Sequence, residues 1–171
     1  CWMIIDDASG EFAIVDPSSE PSSIDSKIAE LGLQGSCFKY ALLTHGHFDH
    51  VMGINGFVKE FDIPVYLHED EKEILAKAYL NLSYQFGKNY AYEDVKCLKS
   101  DEIIELAGFE MRVIHTPGHT QGGCCYYIAA EEVLISGDTL FQNSVGRSDF
   151  PTGNMRILVN SIKEKLFCLP D

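Results

Sequence analysis

An apolar run, Tyr40-Ala41-Leu42-Leu43, leads straight into Thr44-His45-Gly46-His47-Phe48-Asp49-His50, where three histidines and one aspartate fall within six residues. An apolar run of this length reads as a buried strand. The residues from Val51 to Phe57 then open a helical pattern, so the cluster lies on a loop between a strand end and a helix start. Loops of this kind carry function on a rigid scaffold. Imidazole and carboxylate suit zinc, iron or manganese, and packed this closely they satisfy one another poorly without a cation. A lone histidine reads as structural; four such residues in H-x-H-x-D-H order read as metal ligands.

The chain of 171 residues fits one domain with a sizeable core, and 46% hydrophobic residues indicate a globular protein. No apolar run approaches the ~20 residues of a membrane span, and no basic start followed by an apolar run marks a signal peptide. The sequence opens at Cys1 rather than methionine, which is the expectation for a piece of a longer product. A net charge of −13 repels phosphate backbones and anionic lipid. Nucleic acid and membrane are therefore not expected partners, a small-molecule substrate is, and the oligomeric state is open. Of Cys1, Cys37, Cys97, Cys124, Cys125 and Cys168, none makes C-x-x-C spacing. They read mostly as small buried hydrophobes in a reducing cytoplasm, with a redox pair at Cys124-Cys125 as the alternative.

In chain order, Trp2 to Ile5 and Phe12 to Val15 flank a turn composition and read as a hairpin. Asp16 to Ser23 is a proline-punctuated loop whose Ser and Asp residues can cap a helix. Ile24, Ile28 and Leu31 recur at helical spacing, with Gly35 as the stop. After the histidine cluster, Ile54, Phe57, Val58 and Phe61 form one apolar stripe, a helix packed on a sheet. Pro64 to Leu67 reads as a strand, Glu69 to Ala78 as a charged helix with Ile74 and Leu75 inward, and Tyr79 to Asp94 as a long loop. Ile103 to Leu106 and Glu110 to Ile114 read as a second hairpin turning at Ala107-Gly108-Phe109. Cys124 to Ile128 and Val133 to Ile135 are further strands. Asn154 can cap a last helix with Met155, Leu158, Val159, Ile162 and Leu166 inward. Strands in hairpins, mixed with strand–helix alternation, make the class mixed α and β.

Three strand ends thus carry ligand-type residues: His45 to His50, His119 and Asp138. With the motifs Thr-His-Gly-His-Phe-Asp-His at 44–50, Thr-Pro-Gly-His-Thr at 116–120, Ser-Gly-Asp-Thr-Leu-Phe at 136–141 and Gly-Arg-Ser-Asp-Phe at 146–150, the chain resembles a metallo-β-lactamase-fold hydrolase of the glyoxalase II-like branch. The resemblance implies a four-layer αββα sandwich in a single domain over residues 1–171. It implies that His45, His47 and His119 hold one metal, that Asp49 and His50 help hold a second, and that Asp138 bridges them. The implied cofactor is zinc, one ion or two, with iron or manganese as alternatives. Two metals roughly 3.5–4 Å apart activate water and polarise a substrate carbonyl, and Asp49 can orient the nucleophile as well as ligate. Arg147 and Asp149 read equally as a structural ion pair or as neighbours of the site, with Asp149 supporting a ligand histidine. His115 reads as a core histidine or another supporting one, and His68 as structural.

The family also places a last ligating histidine in a Gly-His motif beyond the final helix, where this chain stops at Leu169-Pro170-Asp171. Its first strand would precede Cys1. The expectation is of a domain cut at both ends, with the second metal position short of a ligand. The implied activity is hydrolysis of a thioester or related ester. Relatives of the same fold that oxidise persulfides with a single iron are the first alternative, and a non-catalytic metal-binding fragment is the second. A β-lactamase finds no support in antibiotic recognition, an RNA-processing nuclease conflicts with the charge, and a flavodiiron protein conflicts with His47. Glyoxalase II proteins bind glutathione through a helical C-terminal domain that is not present here, so glutathione specificity is not expected.

Overall fold

A computed structural model describes residues 1–106 and 109–170. Trp2–Ile5 (β1) and Phe12–Val15 (β2) form the expected antiparallel hairpin, with Trp2 opposite Val15. The Asp6 carboxylate accepts from the N–H groups of Ala8 and Ser9 and so closes its turn. The chain then crosses through Ser22–Glu30 (α1) to Phe38–Leu42 (β3), and through Phe48–Val51 (α2) and Ile54–Phe61 (α3) to Val65–His68 (β4). A last crossing, through Lys72–Leu75 (α4) and a long loop, reaches Lys96–Leu98 (β5). The sheet order is β1-β2-β3-β4-β5, with β2 to β5 mutually parallel. Every residue of β2 is buried, as a parallel strand covered on both faces requires.

Ile103–Leu106 (β6), Phe109–His115 (β7), Cys124–Ile128 (β8) and Val133–Ile135 (β9) make a second, antiparallel sheet. Its predicted hairpin is present, and the turn residues Ala107 and Gly108 lie outside the described residues. Between the sheets, Ala13, Val15, Tyr40 and Leu42 pack with Met111, Val113, Cys124 and Tyr126. On the outer face of the first sheet, Ile54 and Phe57 of α3 pack on Phe12, Ile14 and Ala41. On the outer face of the second, Leu158 of Met155–Ser161 (α5) and Ile162 and Leu166 of its π-type continuation pack on Ile114, Cys125 and Tyr127. Each such fully buried side chain contributes roughly 1.5–3 kcal/mol. The layers are therefore αββα, the expected fold. No helix among the described residues is long and apolar enough to cross a membrane.

Several local expectations differ from the structure. The helix from Glu69 stops at Leu75, and its first turn, Glu69–Glu71, is a 3-10 turn that buries Glu71 instead of exposing it. The first helix ends before Gly32, whose φ of +66° makes it the stop in place of Gly35, and Pro21 starts it without a side-chain cap. Met155 is exposed, since the inward stripe begins one turn later at Leu158. The strand β5 and the small hairpin Leu140–Phe141 (β10) with Ser144–Val145 (β11) were not foreseen; strands of two or three residues are too short to show a period. Asn154 caps α5 as predicted, accepting from Ile157 N at 3.1 Å. All six cysteines are free, so Cys124 and Cys125 are not a disulfide.

What this fold does for the site is bring one edge of each sheet together. Cys124 N donates to Thr44 O at 2.9 Å, and the Tyr126 hydroxyl donates to Leu43 O at 2.7 Å. The C-terminal end of β3 is thereby stitched to the start of β8. Open α/β sheets bind ligands outside the carboxyl ends of their parallel strands, and the histidine cluster leaves the sheet there.

Candidate metal centre

His45 and His47 follow β3, His119 lies in the β7–β8 loop, and Asp138 lies beyond β9. All three histidines are buried. His119 Nε2 is 3.3 Å from His45 Nε2 and 3.0 Å from His47 Nδ1, although the two loops are more than seventy residues apart in the chain. These nitrogens form one group able to hold an ion, and His45, His50 and Asp138 form a second beside it.

The hydrogen-bond network assigns the protons. His119 Nδ1 is 2.6 Å from the carbonyl of Arg147, which only accepts, so Nδ1 carries the proton and Nε2 presents its lone pair. The Thr44 hydroxyl donates to Asp16 Oδ2 at 2.7 Å, so at 3.1 Å it accepts from His45 Nδ1, and His45 Nε2 is also bare. Two bare nitrogens 3.3 Å apart repel. A cation held by His45 Nε2, His47 Nδ1 and His119 Nε2 would remove that repulsion; the other ring nitrogen of His47, Nε2, is buried with no partner. The donor set thus fits a metal of the zinc or iron type. Burial, followed by the neighbouring histidines, holds His45 well below the usual imidazole range and His47 down to about 3. Burial likewise lowers His119, so all three rings stay neutral, as ligands must.

His50 behaves differently. Its Nδ1 is 2.9 Å from Asp16 Oδ2 and its Nε2 is 3.3 Å from Asp138 Oδ1. Burial opposes its charged form, but the two carboxylates outweigh this and hold it up at about 10. Between the two carboxylates His50 favours its charged form. Asp138 faces both groups, Oδ1 toward His50 and Oδ2 3.7 Å from His119 Nε2. Burial alone would raise its pKa, yet the His50 contact brings it below the carboxylate norm. Gly137 permits this approach: at φ +49°, a Cβ there would lie 2.4 Å from Thr44 Oγ1. Asp49 is exposed, with Oδ2 4.0 Å from His50 Nε2 on the open side.

The remaining candidates fall elsewhere. Asp149 is exposed and bonds the Arg147 guanidinium at 2.7 and 2.9 Å; it is the backbone carbonyl of Arg147, not Asp149, that supports His119. The guanidinium lies 4.1 Å from the Phe150 ring centre, and Phe150 packs edge-on to His47. His115 stacks on His68 with ring centres 4.1 Å apart and donates from Nε2 to Gln121 O. With Asp70 these two form a third grouping of ligand-type residues. Their rings are nearly parallel, at 13°, so the in-plane lone pairs do not meet at one point. From the sequence, Asp16 falls in a polar loop, as a loop residue or a helix cap. It is buried, holds a φ of +53°, and accepts from Thr44 N, Thr44 Oγ1 and His50 Nδ1. Its only signal in the sequence is its place directly after the strand Phe12–Val15.

The family described as the Metallo-beta-lactamase superfamily matches residues 1–167. The chain belongs to that superfamily, whose fold binds metal ions. It is similar to the probable metallo-hydrolase YqgX of Bacillus subtilis, at 40% identity over 99% of this chain and 79% of that protein. It is similar also to the hydroxyacylglutathione hydrolase GloC of Haemophilus influenzae, at 33% identity over 100% of this chain and 80% of that one. Among solved structures it resembles the B3 metallo-beta-lactamase BLEG-1, with a TM-score of 0.89 and 34% identity over 99% of this chain and 80% of that chain.

Proposed function

We propose that this chain is a metal-dependent hydrolase acting on a thioester or related ester of a small molecule. The observation that carries the reading is the convergence of three neutral, buried imidazoles on one point, with Asp138 turned toward both that point and His50. His45 Nε2, His47 Nδ1 and His119 Nε2 would hold one ion; His50 Nε2, Asp49 and Asp138 would hold a second once His50 gives up its proton. Bound there, metal supplies an activated water and polarises the carbonyl under attack. The protein's own share is positional. The Arg147 carbonyl and the Thr44 hydroxyl fix the tautomers of His119 and His45, Asp16 orients His50, and exposed Asp49 stands where it can take the proton of the attacking water through its carboxylate. The likeness to a hydroxyacylglutathione hydrolase supports a thioester as the substrate class, and a charge of −13 disfavours polyanions.

The test pairs metal analysis of the purified protein with two assays, one on acyl thioesters and one on glutathione persulfide with an oxygen electrode. Thioester cleavage without oxygen uptake is expected. Persulfide-dependent oxygen uptake by an iron-loaded protein would instead establish the mononuclear iron dioxygenase. Tightly bound metal with neither activity would leave the non-catalytic metal-binding reading.

A further inference from the structure

Glu71 is fully buried, yet it is a carboxylate with no ion-pair partner among the described residues. Three donors converge on it: Gly46 N at 2.8 Å on Oε1, and Thr120 Oγ1 at 2.9 Å and Gly122 N at 2.8 Å on Oε2. Gly46 stands between His45 and His47, and Thr120 directly follows His119. One side chain, 25 residues from the first loop and 49 from the second, therefore ties together the two loops that present the three histidines.

The packing is built for this contact. A Cβ on Gly122 would lie 2.3 Å from Glu71 N, and one on Gly46 would lie 3.0 Å from Leu75 N. Only glycine lets the two backbone N–H groups come this close. The Gln121 side chain adds a fourth link, donating to Asp70 O at 2.9 Å. Two of the three partners of the Glu71 carboxyl are backbone N–H groups, which only donate, and the third is a hydroxyl, so the ionised form accepts all three bonds at once. Burial pushes Glu71 up to about 7, against the three hydrogen bonds that lower it.

We infer that Glu71 is a positioning residue that holds the two histidine loops in register for the metal, an inference that rests on the metal-centre reading proposed above. The bare Nε2 atoms of His45 and His119, 3.3 Å apart, push one another apart when no cation is between them. Something must oppose that push for the protein to present a formed site, and the carboxylate that binds one loop on each oxygen does so. Groups that orient ligands from outside the coordination sphere are worth about 10–100-fold in metal affinity or activity.

The experiment is Co(II) titration of the metal-free chain at pH 8, followed by its visible absorption band, for the wild type, Glu71→Gln, Thr120→Val and Ile63→Ala. Gln keeps the volume but turns an N–H toward one of the donors. Ile63→Ala is a control that removes buried apolar volume at the other end of β4. The expected result is Co(II) affinity 10–100-fold weaker in Glu71→Gln with an altered band, a smaller loss in Thr120→Val, and wild-type affinity in Ile63→Ala despite its lower melting temperature. Wild-type affinity and band in folded Glu71→Gln overturn the role. If Glu71→Gln does not fold, Thr120→Val decides: unchanged affinity there overturns it equally. A wild-type chain that takes up no Co(II) overturns the metal-centre reading itself, and this inference with it.

Discussion

Replacing Asp16 by Asn probes the site without touching a histidine. Asp16 accepts three hydrogen bonds: Thr44 N–H at 2.8 Å on Oδ1, and the Thr44 hydroxyl at 2.7 Å and His50 Nδ1–H at 2.9 Å on Oδ2. Asparagine tolerates the φ of +53°, so the backbone is not the issue. Its amide oxygen keeps the Thr44 N–H, but its NH₂ replaces the oxygen that faced the other two donors. Two bonds to a charged acceptor are lost, at about 1.5–3 kcal/mol each. The Thr44 oxygen can accept from the new NH₂, which returns about 1 kcal/mol. The net cost is roughly 2–5 kcal/mol, and the carboxylate is too buried for solvent to screen the loss. For a chain of this length, 1 kcal/mol moves the melting temperature by about 2–4 °C. Thermal unfolding of the metal-free Asp16→Asn protein at pH 7, followed by circular dichroism, should therefore show a midpoint roughly 4–20 °C below wild type. Asp16→Ala should fall further, by roughly another 1–2 kcal/mol, because alanine resists a left-handed backbone. A midpoint for Asp16→Asn within 2 °C of wild type, on the order of what less than 1 kcal/mol produces, would refute the account of how His50 is held.

Asp138→Ala should remove most bound metal and nearly all turnover, because its two oxygens face both groups of ligands; metal analysis and the thioester assay together read this, and intact turnover would end the proposed role. Arg147→Ala should leave metal affinity within about twofold, because the backbone carbonyl supports His119 and the side chain forms only an exposed, solvent-screened ion pair; isothermal titration checks it. Stability should also respond to His68. Burial first, and then the charge of His115, depress its pKa below the usual 6.5. The unfolded chain therefore binds the extra proton more readily, so stability is fullest above about pH 6.5 and declines as pH falls below it. His68→Gln should flatten that slope in melts between pH 5 and 7 without changing metal content.

The histidine cluster and its loop were legible in the sequence because strand, loop and helix signals there are consecutive: an apolar run ends where the ligands begin. The same logic found His119 and Asp138, each just after a β-type run, and the motif order pointed to the family. The strands β2, β7 and β8 and the capped helix α5 showed themselves through apolar runs, periodicity and a cap, which are local properties. Glu71 and Asp16 could not be found in that way. In sequence, Glu71 belongs to an acidic stretch that reads as a solvated helix face, and Asp16 to a polar loop. What makes them matter is that partners 25 to 51 residues away donate to them where they are buried. Of the two readings open for Asp149, the structure bears out the ion pair with Arg147; the group that meets His119 is the backbone carbonyl of Arg147, which leaves no signature in a sequence. Residue types and their spacing determine which side chains are able to ligate. Which buried acceptors hold those side chains in place depends on long-range packing, because a hydrogen bond acts over about 3 Å of space regardless of how much chain lies between its ends.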